Sequence, residues 1–435
     1  MNHQEAKDIL QKKLPEASLS LIKIEVFRLS WLGKGYNVIA EETGYDHDYV
    51  RKAGSDLWKE LSQAMNCAIS KRNVRNLLEE QLIEEGNIDK QLPDYPGGPL
   101  SFSSPFYIER TQEEAQVYQE ICRPGGLVRI RGPRKMGKSS LMLRVLDQGE
   151  SEGYQKVIID FHLADRNILT DLEKLLRWVC LQMTSQLGLE SKIDDYWNEL
   201  IGSKLSCTTY LQQYILENTE FPTILVFNEL NLLFDQDDVS RDFLPLLRSW
   251  HEESKHNDNM KKLRQLLIYS TEVYVQLDIN LSPFNVGLPI ELSALNGEQL
   301  TALSNAYGFN FSNDNNVNSP TTLLLNKLGG HPYLVQLALY QLATKPGFIE
   351  SPSSELKSLI AHATESNGLF SDFLQHLIAD MTGDKSTEAF RKLIANEPLA
   401  RPELYILDHL GLIEIVDDKP KITSQLLINF LRDNL

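Results

Sequence analysis

Cysteine is scarce in this chain: there are 4 in 435 residues, Cys67, Cys122, Cys180 and Cys207, and none stands in a C-x-x-C pair. Thiol-ligated zinc and disulfide frameworks therefore have no sequence support, and the expectation is of reduced, mostly buried thiols. The 9 histidines include no i, i+4 pair, the spacing that puts two imidazoles on one helical face. His162, His251 and His331 accordingly read as structural residues and not as metal ligands. No apolar run approaches the roughly 20 residues that a bilayer span needs. The opening Met1-Asn-His-Gln-Glu-Ala-Lys-Asp8 lacks the basic and then apolar pattern of a signal segment, so the expectation is a cytoplasmic protein with no membrane partner. Positive charge is in deficit, with 43 Lys and Arg against 60 Asp and Glu and a net charge of -17. That disfavours wholesale binding to nucleic acid or an anionic membrane and leaves open only a local basic face. Internal repeats and low-complexity tracts are also missing.

What the chain does have is ordinary globular composition, 42% apolar and 24% charged, and a length that fits about two to four domains. It also has a complete G-x-x-x-x-G-K-S loop, Gly132-Pro133-Arg134-Lys135-Met136-Gly137-Lys138-Ser139. The two glycines let backbone N–H groups wrap phosphates, Lys138 reaches the terminal phosphates, and the Ser139 hydroxyl suits Mg²⁺. Leu127-Val-Arg-Ile-Arg131 before the loop reads as a buried strand, and Ser139-Ser140-Leu141-Met142-Leu143 after it as a helix. The positive end of that helix points at the same anion. A nucleotide, ATP or ADP with Mg²⁺, is the expected ligand.

The pattern along the chain predicts an all-α helix-turn-helix domain over 1–85. Leu21, Ile24, Val26, Phe27, Leu29 and Leu32 form one apolar stripe. Two further helices flank the Gly44-Tyr45-Asp46 turn, with Val38, Ile39, Val50, Leu57 and Leu61 inward and Asp46, His47, Asp48, Arg51, Lys52 and Ser55 outward. Residues 86–106 hold 4 prolines and 3 glycines and read as a linker. Over 107–295 strands alternate with helices, as in a parallel three-layer α/β fold. The strands are expected at 127–131, 157–161, 222–227 and 266–270, each apolar on both parities and so covered on both faces. Helical periodicity returns over 296–380. Residues 381–435 sketch a winged helix, with a turn at Asp417-Asp418-Lys419-Pro420.

The third strand ends in Asn228-Glu229. A carboxylate at Glu229 can orient or deprotonate an attacking water, and the position before it normally carries the carboxylate that holds Mg²⁺ through its water shell. Asn228 keeps a carbonyl oxygen there and drops one charge, a change that typically costs about 10 to 100-fold in metal affinity or activity. Read alone, this makes Asn228→Asp the change expected to restore phosphate release; the alternative is a site dead for hydrolysis. The fourth strand ends Tyr269-Ser270-Thr271, where Thr271 or Ser270 could sense the terminal phosphate or simply cap a helix. Arg241, Arg248 and Arg264 are candidates for a compensating charge, with plain solvated arginines as the other reading.

Four stretches, Gly97 to Arg110, Pro133 to Leu141, Ser270 to Pro289 and Gly329-Gly-His-Pro-Tyr333, together resemble the bacterial AAA-like domain proteins. These are signal-transducing STAND ATPases related to origin-recognition AAA+ proteins; the resemblance covers about 95–435 and implies a three-layer P-loop AAA+-like ATPase core over 107–295 with a helical lid over 296–380. Residues 1 to about 85 look like the helix-turn-helix that precedes such ATPases in von Willebrand and MoxR-associated conflict systems. The resemblance implies that Lys138, Ser139 and Glu229 are the phosphate, Mg²⁺ and catalytic residues. It implies that Arg110 lies near the nucleotide base and that His331 and Pro332 carry a lid signature reporting nucleotide state. It further implies a nucleotide-gated switch in signalling or defence, with a protein partner and homo-oligomerisation in the ATP form. The family has Asp where this chain has Asn228, which implies slow or lost hydrolysis with binding retained. The runner-up is a regulator in which the helix-turn-helix, binding DNA or docking on protein, carries the function. A metabolic kinase has little behind it, because no second substrate pocket can be picked out.

Overall fold

The computed structural model describes residues 10, 14, 18–31, 33–65, 69–71, 74, 93–270, 283–311, 319–345, 351–365, 367–381 and 383–435. Three helices open the described chain: α1 (Leu21–Trp31), α2 (Tyr36–Thr43) and α3 (His47–Met65). Gly44 stops α2 in the left-handed region (φ 69°) and donates its N–H to Ala40 O. Ile22, Val26, Phe27 and Leu29 of α1 pack on Ile39 of α2 and on Val50, Leu57 and Leu61 of α3. The inward stripe begins one residue later than expected. Leu21 is 69% exposed and Ile22 takes the core place, because the i, i+4, i+7 set is 22, 26 and 29. Leu32 lies outside the described residues. On α3, Asp48, Arg51, Lys52 and Ser55 are exposed and His47 is half-buried. Arg51 reaches Glu152 of the central unit, 3.6 Å away.

The central unit is α/β. Its sheet contains β1 (Leu127–Arg131), β2 (Gln155–Asp160), β3 (Thr223–Asn228), β4 (Leu263–Tyr269) and β5 (Leu288–Glu291) in the order β2-β3-β4-β1-β5, and all pairs are parallel. The alternating parity of the strands builds two cores. Ile224, Val226, Leu266 and Ile268 face α4 (Thr111–Ile121) and α5 (Lys138–Ser151). Leu225, Phe227 and Leu267 face α6 (Leu172–Gln186), α7 (Ser203–Tyr210) and α8 (Asp237–Glu253). Strand β5 had no sequence expectation. It has four residues, buries one of them fully, and carries Pro289, which an edge strand tolerates because its missing N–H faces no partner. Cys180 of α6 and Cys207 of α7 meet in the core with their Sγ atoms 3.4 Å apart, a juxtaposition their spacing hides; Cys67 lies outside the described residues.

Beyond β5, helices α9 (Gly297–Ala306), α10 (Pro320–Leu328), α11 (Pro332–Ala343), α12 (Pro352–Ala361), α13 (Ser371–Asp380), α14 (Asp384–Ile394), α15 (Arg401–His409) and α16 (Gln425–Asn434) share one apolar core running from Leu295 to Leu431. A hairpin of β6 (Ile413–Val416) and β7 (Lys419–Ile422) sits between the last two helices. Its turn is the two residues Asp417 and Asp418, both left-handed (φ 51° and 58°), which is the backbone a tight two-residue hairpin demands. Among the described residues, no helix is long and apolar enough to cross a membrane.

Candidate nucleotide-binding site

The C-terminal edge of the sheet faces a cavity of about 630 Å³. The loop before α5 forms its floor; the stretch Pro96–Leu100 and the starts or ends of α11, α13 and α15 form its walls. Gly137, the residue before α5, takes φ 100°, a conformation L side chains rarely adopt, and no side chain caps the first N–H groups of the helix. Lys138, 6% exposed, donates from Nζ to Gly132 O at 2.8 Å and Pro133 O at 2.9 Å. Ser139 lines the cavity. Ser140 lines it too, with Oγ accepting from Leu100 N at 3.0 Å.

Loop side chains fasten the walls. Arg134 stands 3.6 Å from Asp380 of α13. Lys135, left-handed at φ 61°, donates to Gly97 O at 2.8 Å and sits 5.1 Å over the Tyr333 ring. Arg110 is buried and donates to Met136 O at 3.0 Å and Ser293 O at 3.2 Å, so it braces the loop from the side. Burial pulls its guanidinium down from the usual range, and Tyr107, Glu113 and Glu114 pull it back. Four cations, Arg110, Arg134, Lys135 and Lys138, thus line one cavity in a chain of net charge -17.

Across the cavity, Glu229 adopts φ 56°, which for a non-glycine residue is a strained conformation kept only where surrounding structure enforces it. Asn231 Oδ1 accepts from Ser270 N at 2.9 Å and ties the ends of β3 and β4 together. Asn228 is 7% exposed; its Nδ2 donates to Asp160 Oδ2 at 3.2 Å. Thr271 lies outside the described residues. Of the three arginines considered for a compensating charge, Arg241 pairs with Asp237 at 3.8 Å and Arg248 with Glu252 at 2.9 Å. Arg264 is buried at the opposite end of β4, donating to Lys261 O at 2.6 Å. None of the three is among the residues lining the cavity.

His331 and Pro332 start α11 against the loop, and both line the cavity. Burial pushes the His331 imidazole down to about 4, a hydrogen bond with the Arg134 backbone opposes this, and Lys138 and Arg110 push the same way as burial. The folded pKa lies below the unfolded value of 6.5. The unfolded chain therefore binds the proton first, and stability falls as pH drops from 6.5 toward 4. This one group contributes on the order of 3 kcal/mol to that loss. In a series of urea melts across this window, His331→Phe should flatten the slope relative to wild type; an unchanged slope would place the titration elsewhere.

Sequence reasoning missed Asp160, His162, Asn231, Tyr333, Asp380 and His409 around the site. For Asp160 the available signal was a polar residue closing an apolar strand, β2; Asp380 and His409 stand on helices and carried no such signal.

Among known proteins, the chain matches the AAA-like domain over residues 95–433 and the vWA-MoxR associated protein N-terminal HTH over residues 1–81. No curated protein matches it. Among solved structures, it is similar to the ORC2 protein of Aeropyrum pernix in its ADPNP and ADP complexes, at 15% identity and a TM-score of 0.42, covering 79% of this chain and 97% of that one. It is similar also to CDC6P from Pyrobaculum aerophilum, at 11% identity and a TM-score of 0.36, covering 76% of this chain and 98% of that one. The match over 95–433 is most of the chain: it belongs to the AAA-like domain family of P-loop ATPases, and it carries in front of that domain a helix-turn-helix of the vWA-MoxR associated type.

Proposed function

We propose that the chain is a nucleotide-gated switch that binds ATP or ADP with Mg²⁺ in this cavity and hydrolyses ATP slowly. One observation carries the reading: the phosphate loop, four cations and the His331-Pro332 helix start line a single cavity. Backbone N–H groups from Arg134 to Ser139 would wrap the phosphates, while Lys138 would exchange its two loop carbonyls for phosphate oxygens. The Ser139 hydroxyl and the buried, orphaned Asn228 Oδ1 are oxygen donors of the kind Mg²⁺ and its water shell take, so the residues fit the ion. When bound, Mg²⁺ supplies neutralisation of phosphate charge. Glu229 would orient and deprotonate the attacking water.

In this reading residues 107–295 are the ATPase domain, 296–380 the lid and 381–435 the winged helix. Because His331 belongs to the lid and contacts the loop, the two nucleotide states would differ in how the lid seats, and only such differential contact can shift a conformational equilibrium. The role is signalling or defence, with a protein partner and homo-oligomerisation in the ATP form. For the N-terminal helix-turn-helix, protein docking is favoured over DNA, since Arg51 on α3 is turned to Glu152 of the same chain and Asp48 and Asp56 dilute the rest of that face. Parallel nucleotide-binding and phosphate-release assays test the proposal. Glu229→Gln should hold affinity within about threefold while release drops by about 10² to 10⁴. Equal release from wild type and variant would remove Glu229 from the chemistry.

A further inference from the structure

Strands β2 and β3 pair in parallel with Asp160 opposite Asn228, so the last residues of both strands meet at the edge that carries the cavity. Asn228 Nδ2 donates to Asp160 Oδ2 at 3.2 Å. The other carboxylate oxygen of Asp160 accepts from His162 N at 3.0 Å and lies 3.4 Å from His162 Nδ1, and His162 lines the cavity. Asn228 is more than nine-tenths buried, and its Oδ1 has no hydrogen-bond partner among the described residues. An amide has a donor end and an acceptor end. With the donor end held by a carboxylate, the acceptor end is fixed in direction and made more electron-rich by the charge behind it.

We propose that Asp160 supplies, across the strand pair, the negative charge that position 228 lacks, and that Asn228 Oδ1, oriented by Asp160, accepts from the water shell of the nucleotide's Mg²⁺. The inference rests on reading the cavity as a Mg²⁺–nucleotide site. Asp160 is a positioning residue here, since it acts through the Asn228 amide. The pair also changes what Asn228→Asp does. Instead of restoring a lost charge, it sets two carboxylates side by side, and like charges at that distance force one of them to keep a proton.

The test is a titration of a fluorescent ADP derivative against the full chain, with MgCl₂ varied and in excess chelator. It is run on wild type, Asp160→Asn, Asn228→Asp and the double variant that swaps the two. Asn at 160 retains an acceptor for His162 N, so the turn after β2 is kept. The expected result is that Asp160→Asn raises the Mg²⁺ midpoint by about 10 to 100-fold and leaves affinity in chelator unchanged. Asn228→Asp should not lower the midpoint below wild type, and the swap should recover most of the loss. An unchanged midpoint in Asp160→Asn, or a loss of affinity that is equal in chelator, would overturn the inference and leave the nucleotide site standing. Absence of nucleotide binding by wild type with and without Mg²⁺ would overturn the site itself, and this inference with it.

Discussion

Lys138→Ala is expected to lower ATP and ADP affinity by about two to four orders of magnitude and to leave the nucleotide-free protein as stable as wild type. The first half follows from charge. Hydrogen bonds to ionised groups contribute about 1.5–3 kcal/mol each, and an ammonium placed at a phosphate loop makes about two of them, which at 1.4 kcal/mol per decade gives the stated range. The second half follows from where Lys138 sits. It is buried, and it donates to the carbonyls of Gly132 and Pro133. Desolvating an ammonium against neutral acceptors is unfavourable, so its removal offsets the two lost hydrogen bonds. Titration calorimetry with each nucleotide and a thermal melt without nucleotide check the two halves separately. Affinity within about threefold of wild type would mean that nucleotide, if bound, does not use this loop.

Gly330→Ala, next to the cavity-lining His331, is expected to be strongly damaging. Gly330 has φ 66°, where an L residue is strained by about 1–2 kcal/mol. A Cβ there would lie 2.2 Å from Leu295 O, a backbone atom that cannot swing aside. The same two residues are joined by Leu295 N donating to Gly330 O at 2.8 Å, so relieving the clash breaks that bond. Together these make a loss of about 3 kcal/mol or more. Gly330 precedes His331, and the forced backbone shift carries the imidazole and the start of α11 away from the loop, so nucleotide affinity should fall along with the melting temperature. Gly98→Ala is the control: Gly98 lines the cavity, yet nothing lies within 4 Å of its added Cβ, and stability should stay within about 0.5 kcal/mol. Equal effects from the two substitutions would defeat the argument.

The loop and the strands that carry the site were legible because their signals are local. Glycine spacing specifies the loop, and short runs apolar on both parities specify strands covered on both faces. Strand β4 still begins earlier than expected, at Leu263, because Arg264 and Gln265 interrupt the apolar run while pairing in the ladder. Strand β5 was illegible for the opposite reason: it is an edge strand with proline in it, and its pairing with β1 carries no composition signal. The stretch 96–100 shows what composition omits. Proline and glycine exclude helix and central strand there, but they do not say that Gly97 O will meet Lys135 and Leu100 N will meet Ser140. The Asp160–Asn228 contact joins residues 68 apart, and only the parallel register brings them together.

Helix α5 has Lys138 at one end and is capped by Glu152 at the other, where Arg51 of the helix-turn-helix sits 3.6 Å away. Its 14 residues span about 21 Å, whereas charge in physiological salt is screened over about 8 Å. Phosphates bound at Lys138 would therefore be too far from the helix-turn-helix for the two to sense each other as charges through solvent. What joins them is a stiff rod, so in the proposed switch a bound nucleotide would act on Arg51 through displacement, a tilt or a slide of α5 that opens or closes the gap to Glu152.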